Sequence, residues 1–594
     1  MIPPHSHDSS HAKMEGPAVC HRQFSEQKFS YLSKWVAICL EECKLKNKRS
    51  CASDGIGQFA PGMKLNFIHV GDLNITSLLP SPLDYVAISY VWGAVSQLQL
   101  STSNHAELSQ PGALLSHQSS IPRTVWQAIE LTKALGFDYL WVDSLCIVQD
   151  DADKKHAAIA QMGAVYNAAT LTLVVLNESA DQDIPLSTTP VSEPSEKEAE
   201  RMIMAGARQS RVSKHFSRGW TYQERILSRR KLYLTPTGTF WACRSIIRPQ
   251  SCVGGWHSTH SDSFGDNLPM NLSLGRTTGH YLTHFLDAVE AYSSRSLSFA
   301  SDRLAAFTGI ISVFESRLGW NISAGLTHAA LPLCLRWHGN GLLVRNPQFP
   351  SWSWAGWTGA ISYADVLSPR SGLPVYDSKI GCITFCRKME LQIDDKLCDV
   401  LTGLSVRLQG GAKSKFIMNG VLEVESEARK LSSDYHRDHS AVASLARRDP
   451  SRLRLHFRAS FTGGTGLAKI EMRQRPTSSA EPDGVITMLL QNGEPIGFLW
   501  GEMEHLRHQM GSPDRWGLVT TGTRAAVSSA FNWYAEGTNK SVDIFSRVIR
   551  DIMVIRRPDG EGAGQEVWER VAIGNLDMDV WTGQPWLVEE IWVV

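Results

Sequence analysis

Residues 218–230 read "RGWTYQERILSRR" and set one carboxylate, Glu224, among Arg218, Arg225, Arg229 and Arg230. On a helix, Trp220 and Glu224 stand at i and i+4 and share a face. Two readings of Glu224 stand side by side. It is an ion-pair partner on a basic helix, worth about 0–1 kcal/mol at a surface. Or it is an acid on which a reaction depends, because a fixed carboxylate stabilises positive charge that develops in a transition state.

Chemistry of the second kind needs elements that bring other groups to Glu224. "DYVAISYVWG" (84–93) reads as a strand ending in Gly, and "YLWVDSLCIV" (139–148) as a near-continuous apolar strand buried on both faces of a parallel sheet. Between them, "IPRTVWQAIELTKALG" (121–136) has Pro122 near a helix start and Gly136 at its stop. "DDADKKHAAIAQMGAVYNAA" (150–169) reads as helix and "TLTLVVL" (170–176) as another buried strand; "KLYLT" (231–235) follows the opening segment as a further strand. This alternation predicts an open, mostly parallel α/β sheet. In such sheets ligands bind outside the carboxyl ends of the strands. Two strand ends, "SYVWG" and "WVDSLC", place Ser89, Tyr90, Trp92, Asp143 and Ser144 near that edge. For Asp143, capping or bonding the next loop is the alternative role. Trp92 or Trp220 would stack on a ligand ring.

Other stretches carry less chemistry. "DQDIPLSTTPVSEPSEKEAE" (181–200) reads as a Pro-, Ser- and Glu-rich loop. In "FSYLSKWVAICLEECKLKNKRSC", Leu32, Trp35, Val36, Cys39 and Leu40 form a helical stripe. Cys39, Cys43 and Cys51 lack the paired spacing of a zinc site. Asp150, Asp151 and Asp153 suit helix capping better than a cation site. His280 and His284 share a predicted helix (281–319 is largely helical) with no third ligand nearby. Trp352 and Trp354 alternate at strand spacing and, with Trp357, read as core. "EHLRH" (504–508) has the wrong order for a zinc-protease helix, and no G-x-S-x-G, P-loop or G-x-G-x-x-G occurs. No metal site is expected. The charge-mixed stretch within 405–480 reads as an exposed insertion.

Composition sets the outer limits. The 594 residues carry 59 Lys plus Arg against 59 Asp plus Glu, so no bulk attraction to nucleic acid or anionic membrane is expected. The 11 scattered cysteines suit a reducing compartment. The polar start "MIPPHSHDSSHAKMEG" has no apolar signal core, and no apolar run approaches the ~18 residues of a membrane helix. A cytoplasmic protein is expected.

Several stretches together resemble one family, the heterokaryon incompatibility (HET) domain proteins of filamentous fungi. They are "YVAISYVWG" (85–93), "IPRTVWQAIELTKALGFDYLWVDSLCIVQDD" (121–151), "QMGAVYNAATLTLVV" (161–175) and "RGWTYQERILSRRKLYLT" (218–235). "AYSSRSLSFASDRLAAFTGI" (291–310) and "PSWSWAGW" (350–357) resemble the downstream region of large members. The resemblance implies a part in non-self recognition and programmed cell death. The family is also distantly similar to Toll/interleukin-receptor (TIR) domains. Those are flavodoxin-like α/β sheets, some of which cleave NAD⁺ at the nicotinamide–ribose bond with one glutamate, four residues after a Trp in W-C-x-x-E. Here Trp220 is followed by Thr221, Glu224 takes the matching place, and the Cys is absent. In that reaction positive charge builds on the ribose, where a carboxylate stabilises it and anchors the hydroxyls.

The expectation is therefore a flavodoxin/TIR-like, mostly parallel α/β domain with helical additions, then a mixed α/β C-terminal region. Its boundaries are an N-terminal tail and helix (1–60), the HET domain (61–245, with a loop insertion at 181–215), a helical and Trp-rich extension (246–400) and the C-terminal region (401–594). Glu224 is the candidate catalytic residue; Ser89, Tyr90, Trp92, Asp143, Ser144 and Trp220 are the candidate substrate contacts. NAD⁺ enters as substrate, with no cofactor. The alternative is a non-catalytic module that self-associates or docks on an incompatibility partner.

Overall fold

Uninterrupted apolar runs make the central strands, because a strand covered on both faces has no place for polar alternation. The computed structural model describes residues 34–39, 41, 59, 62–80, 82–186, 195–243, 247–249, 278–363, 384–386, 389–393, 396–400, 442–463, 470–474, 486–491, 494–500, 503–510, 515–525, 548–558, 567–577 and 587–594. Its first sheet has eight strands: β1 (Leu65–His69), β2 (Asn74–Leu78), β3 (Val86–Ser89), β4 (Tyr139–Trp141), β5 (Leu171–Val175), β6 (Arg230–Thr235), β7 (Gly238–Cys243) and β8 (Ile247–Pro249). Their order is β2-β1-β4-β3-β5-β6-β7-β8. The middle four, β4-β3-β5-β6, are parallel, and antiparallel strands extend both edges. Numbered along the chain, the parallel core runs 2-1-3-4, the start of the flavodoxin-like order 2-1-3-4-5. The order reverses at β3, the switch point at whose carboxyl end such sheets bind ligands, and Ser89 ends that strand.

Helices α1 (Arg123–Ala134), α2 (Ala152–Ala160), α3 (Met162–Ala168), α4 (Glu196–Val212) and α5 (Trp220–Leu227) fill the crossovers. Val125, Ala128 and Ile129 of α1 and Val165 and Tyr166 of α3 join the buried faces of β3, β4 and β5 in one core. Two tyrosines lock α3 to β3: the Tyr85 hydroxyl donates to the Val165 carbonyl (2.6 Å), and Tyr166 donates to that of Ile88 (2.9 Å). Asp151 caps α2 by accepting from the Lys154 N–H (3.0 Å), the capping role its sequence position suggests.

Three local expectations are corrected. The strand expected at 139–148 stops at Trp141, and Asp143–Cys146 turns into a short helix. Residues 196–212 of the expected loop insertion form α4, with a capping box between Ser195 and Glu198. Its Ala199, Ile203 and Ala207 are buried, and Ile203 and Ala207 pack against Val174, Tyr233 and Phe240 of the sheet. Around Trp352 and Trp354 there is no continuous strand. Ser353 accepts from the Ala355 N–H (2.9 Å) and donates to the Ala324 carbonyl (2.6 Å), closing a 3₁₀ turn at Trp354–Gly356. All three tryptophans are core, as their sequence suggests.

Helices α6 (Thr278–Ser293) and α7 (Thr308–Leu318) carry this Trp-rich core. An 11-stranded, almost wholly antiparallel sheet between residues 384 and 593 follows; described helices in this range include 442–448 and Met503–Met510. Arg570, in its strand Val567–Asp577, donates to the carbonyls of Leu335 (2.7 Å), Trp337 and Trp352 (3.4 Å) and lies over the Trp337 ring at 3.6 Å. Much of the expected exposed insertion lies outside the described residues, as do Leu32, Leu40, Cys43 and Cys51. The part described, 442–454, buries Val442, Ala446 and Leu453 in the Trp-rich core. In the N-terminal helix Trp35, Val36 and Cys39 are buried, and Trp35 meets Trp241 of β7 with ring centroids 6.3 Å apart.

Candidate functional site

The carboxyl end of β3 meets α5 at one hydrogen bond. Ser89 ends β3 with its side chain inward, and its Oγ donates to Glu224 Oε2 at 2.5 Å. The same Oγ lies 2.8 Å from His215 Nε2. All three residues are buried, with 0%, 5% and 0% exposure for Ser89, Glu224 and His215. Glu224 is thus not a surface ion-pair partner. The Arg225 guanidinium lies over the Phe216 ring at 3.3 Å, and Arg229 donates to the Ala168 carbonyl at 2.7 Å.

Both ends of α5 are held. At its start, the Thr221 hydroxyl donates to the carbonyls of His215 and Arg218 (3.0 Å to the latter). At its end, Asn167 donates to the Leu227 carbonyl (3.1 Å), and the Ser228 hydroxyl bonds the Glu224 carbonyl (2.6 Å) while meeting Thr172 of β5 (2.7 Å). In its middle, Gln223 Oε1 accepts from the Gly309 N–H (3.1 Å). That contact requires α3 and α7 to cross without side chains: a Cβ on Gly163 would lie 2.7 Å from Gly309 Cα. Glu224 therefore sits on a helix with little freedom to move.

A second carboxylate stands next to this trio. Asp143 opens the turn after β4, where its Oδ2 accepts from Trp92 Nε1 and its Oδ1 from the Ser144 N–H, each at 2.8 Å. The Tyr90 hydroxyl donates to Ser144 Oγ at 3.2 Å. Gly93 follows with φ of +74°, and a Cβ there would strike the Ser179 hydroxyl, so the "SYVWG" turn depends on glycine. Five of the expected contacts, Ser89, Tyr90, Trp92, Asp143 and Ser144, converge beside Glu224. Trp220 does not join them by any hydrogen bond among the described residues. Its Nε1 donates to Asp302 (3.3 Å), and its ring packs between the sheet core and the Trp-rich core.

The electrostatics follow from burial. Loss of solvent pushes the Glu224 carboxyl up from 4.5 to about 7; the Ser89 hydrogen bond opposes this, the Asp143 charge adds to it, and Arg218 and Arg225 oppose it. Asp143 is raised for the same first reason, against its bonds from Trp92 and Ser144. His215 is held well below its usual range by burial and then by Arg225, Arg218 and Arg295, so its imidazole is neutral. Burial, then the Glu224 and Asp143 charges, drives the Tyr166 phenol well up. Two carboxylates that resist ionising together suit acid–base work near neutral pH. The trio is not a nucleophilic serine triad. There a histidine bridges serine and acid, whereas here the serine bridges histidine and acid. Among the described residues no three His, Cys, Asp or Glu side chains gather as metal ligands.

His215 and Tyr166 escaped the sequence reading. His215 lies 126 residues from Ser89 and has no motif of its own. The one available cue was its place three residues before "RGWTYQE", in the turn Lys214–Ser217 that leads into α5.

Fold and site together define an α/β domain with a buried acidic centre at its strand ends. Residues 85–224 match the model of the heterokaryon incompatibility protein (HET) family. That span contains Ser89, Asp143, Tyr166, His215 and Glu224, the last of them at its end. Over these residues the chain carries a HET-type domain. It is similar to heterokaryon incompatibility protein 6, OR allele, of Neurospora crassa, at 29% identity over 109 residues. That match covers 18% of this chain and 16% of the relative. No solved structure matches the chain. Among the described residues, no helix is long and apolar enough to cross a membrane.

Proposed function

We propose that this protein acts in incompatibility-type programmed cell death by hydrolysing NAD⁺ at the nicotinamide–ribose bond, with Glu224 as the essential carboxylate. The observation that supports this reading is the buried pair of carboxylates, Glu224 and Asp143, at the switch point of the parallel sheet. A fixed negative charge there stabilises the oxocarbenium character of the ribose as nicotinamide departs, and water completes the hydrolysis. In this reading the indole of Trp92, tied to Asp143 by its N–H, stacks on the nicotinamide. The spacing of Trp220 and Glu224 is the one a TIR-like site would require of the same glutamate. The domain boundaries are proposed as 61–245 for the HET unit, 246–400 for the Trp-rich extension and 401–594 for the C-terminal region. The protein works in the cytoplasm.

A second reading has its own support. Ser89 and His215 are fully covered, as a purely structural polar core would be, and the domain would then self-associate or dock on a partner. Nicotinamide release by purified protein separates the two. The wild type releases it, at high concentration or with a crowding agent if assembly is needed. Glu224→Gln keeps shape and loses at least roughly 10²-fold in rate. A folded wild type that releases none under any assembly condition establishes the module reading.

A further inference from the structure

We propose that Ser89 and His215 form a proton relay to Glu224, in which His215 is a positioning residue that sets the charge state of the carboxylate by changing tautomer. A charged Glu224 only accepts, so the Ser89 proton must point at it. His215 Nε2 must then carry a proton and donate to Ser89 Oγ. That leaves Nδ1 bare, and Nδ1 is buried with no hydrogen-bond partner among the described residues. A buried side chain with one nitrogen engaged and the other unpartnered is rare enough to need an explanation.

The relay supplies one. When a proton arrives at Nδ1, the Nε2–H bond breaks and its proton passes to Ser89 Oγ. The original Ser89 O–H bond breaks, and an O–H bond forms on Glu224 Oε2. One proton enters, one carboxylate is neutralised, and His215 ends neutral with its hydrogen on Nδ1. Burial and the three arginines that face it, Arg218, Arg225 and Arg295, forbid a lasting imidazolium but allow this exchange of tautomers. The groups facing Glu224 are Ser89 and Tyr90 from β3 and the residue after it, Asp143 from the turn after β4, Tyr166 from α3, and Arg218 and Arg225 around α5. None is placed to replace Ser89 as the bridge to His215.

The inference builds on Glu224 as the reacting carboxylate, yet its test needs no substrate. The full chain is labelled with ¹⁵N-histidine and ¹³C-carboxyl glutamate and titrated by NMR, with His215→Gln and Glu224→Gln spectra used for assignment. In the wild type the Nδ1 signal moves from bare to protonated at the same midpoint as the Glu224 carboxyl, a single coupled step. In Glu224→Gln, Nδ1 keeps one protonation state throughout the titration, because no proton can be taken up at position 224. In Ser89→Ala the Glu224 step persists and the Nδ1 step vanishes; in Ser89→Thr, which keeps the hydroxyl, both persist together. A wild-type Nδ1 that stays unchanged while Glu224 titrates overturns the relay, whatever the variants do. A missing nicotinamide signal would sink the hydrolysis reading and leave this titration standing.

Discussion

Glu224 and Arg570 are both charged side chains taken out of water, and the molecule treats them in opposite ways. Arg570 faces three backbone carbonyls and an indole ring, none of which titrates. Burial lowers its pKa only to about 9, so it stays a cation, and its bonds knit the C-terminal sheet to the Trp-rich core. Glu224 faces a hydroxyl, a neutral imidazole behind it and a second carboxylate. Burial brings its own pKa to about 7. At neutral pH one centre holds its charge, with the Tyr363 phenol beside it favouring the cation, while the other is poised to lose its charge. A buried charge satisfied by carbonyls reads as structure; one satisfied by other titratable groups reads as chemistry.

The comparison is tested most severely at Arg570. Arg570→Ala removes the guanidinium donor from the buried carbonyls of Leu335 and Trp337, leaves that of Trp352 with its bond from Trp337 Nε1 (3.0 Å), and opens a cavity beside Trp337. A loss of about 3–5 kcal/mol is expected from urea unfolding, with the HET domain's own transition little changed. Glu224→Gln should behave in reverse, removing function while sparing stability. Its signature is in the pH dependence. The folded carboxyl binds its proton below about 7 and the unfolded one only below 4.5. Between those values the folded state holds more protons, so stability falls as pH rises through the window. The contribution approaches about 3 kcal/mol, and Asp143, shifted in the same direction, adds to it. Urea midpoints from pH 4.5 to 8 should fall in the wild type and fall less steeply in Glu224→Gln, where Asp143 still contributes. An unchanged slope in the variant would place the titration elsewhere.

Gly309→Ala sharpens the contrast at lower cost. The new Cβ would lie 2.6 Å from Leu227 Cδ1 and 2.9 Å from both Gln223 Oε1 and Gly163 Cα. About 1–3 kcal/mol of destabilisation is expected. Because Gln223 adjoins Glu224 on α5, the Glu224 titration midpoint should move as well. The corresponding change at Gly112, where a Cβ meets open space, meets only the strain of its positive φ.

These sites were unequally legible in the sequence. The strands ending at Ser89 and Trp141 announce themselves as apolar runs, because full burial forbids polar alternation there. Glu224 and five of its neighbours could be named because each sits at a strand end or on a short patterned helix. His215 could not, since its partner lies 126 residues away and one histidine has no periodicity. Trp352 and Trp354 mimic strand alternation, but the Ser353 hydroxyl bonds the local backbone and turns the chain instead. Trp220 misleads in another way. Its i, i+4 relation to Glu224 is real, yet Asp302, 82 residues on, decides where its indole N–H goes.

Helix α4 is the instructive miss, and it yields the smallest prediction. Pro, Ser and Glu before it suggest a loop, and that composition hides a start signal. Ser195 and Glu198 form the S-x-x-E capping box, and Ala199, Ile203 and Ala207 repeat at helical spacing behind it. The Glu198 carboxylate accepts from both the Ser195 N–H (2.9 Å) and its hydroxyl (2.7 Å). Ser195→Ala should therefore cost about 1 kcal/mol, read as a lower urea midpoint. Since α4 packs on β6 and β7 through Tyr233 and Phe240 and not on Ser89 or Glu224, the Glu224 titration should keep its midpoint. A shift in that midpoint would mean that α4 holds the acidic centre through the turn carrying His215, and that the two centres are less separate than their contacts imply.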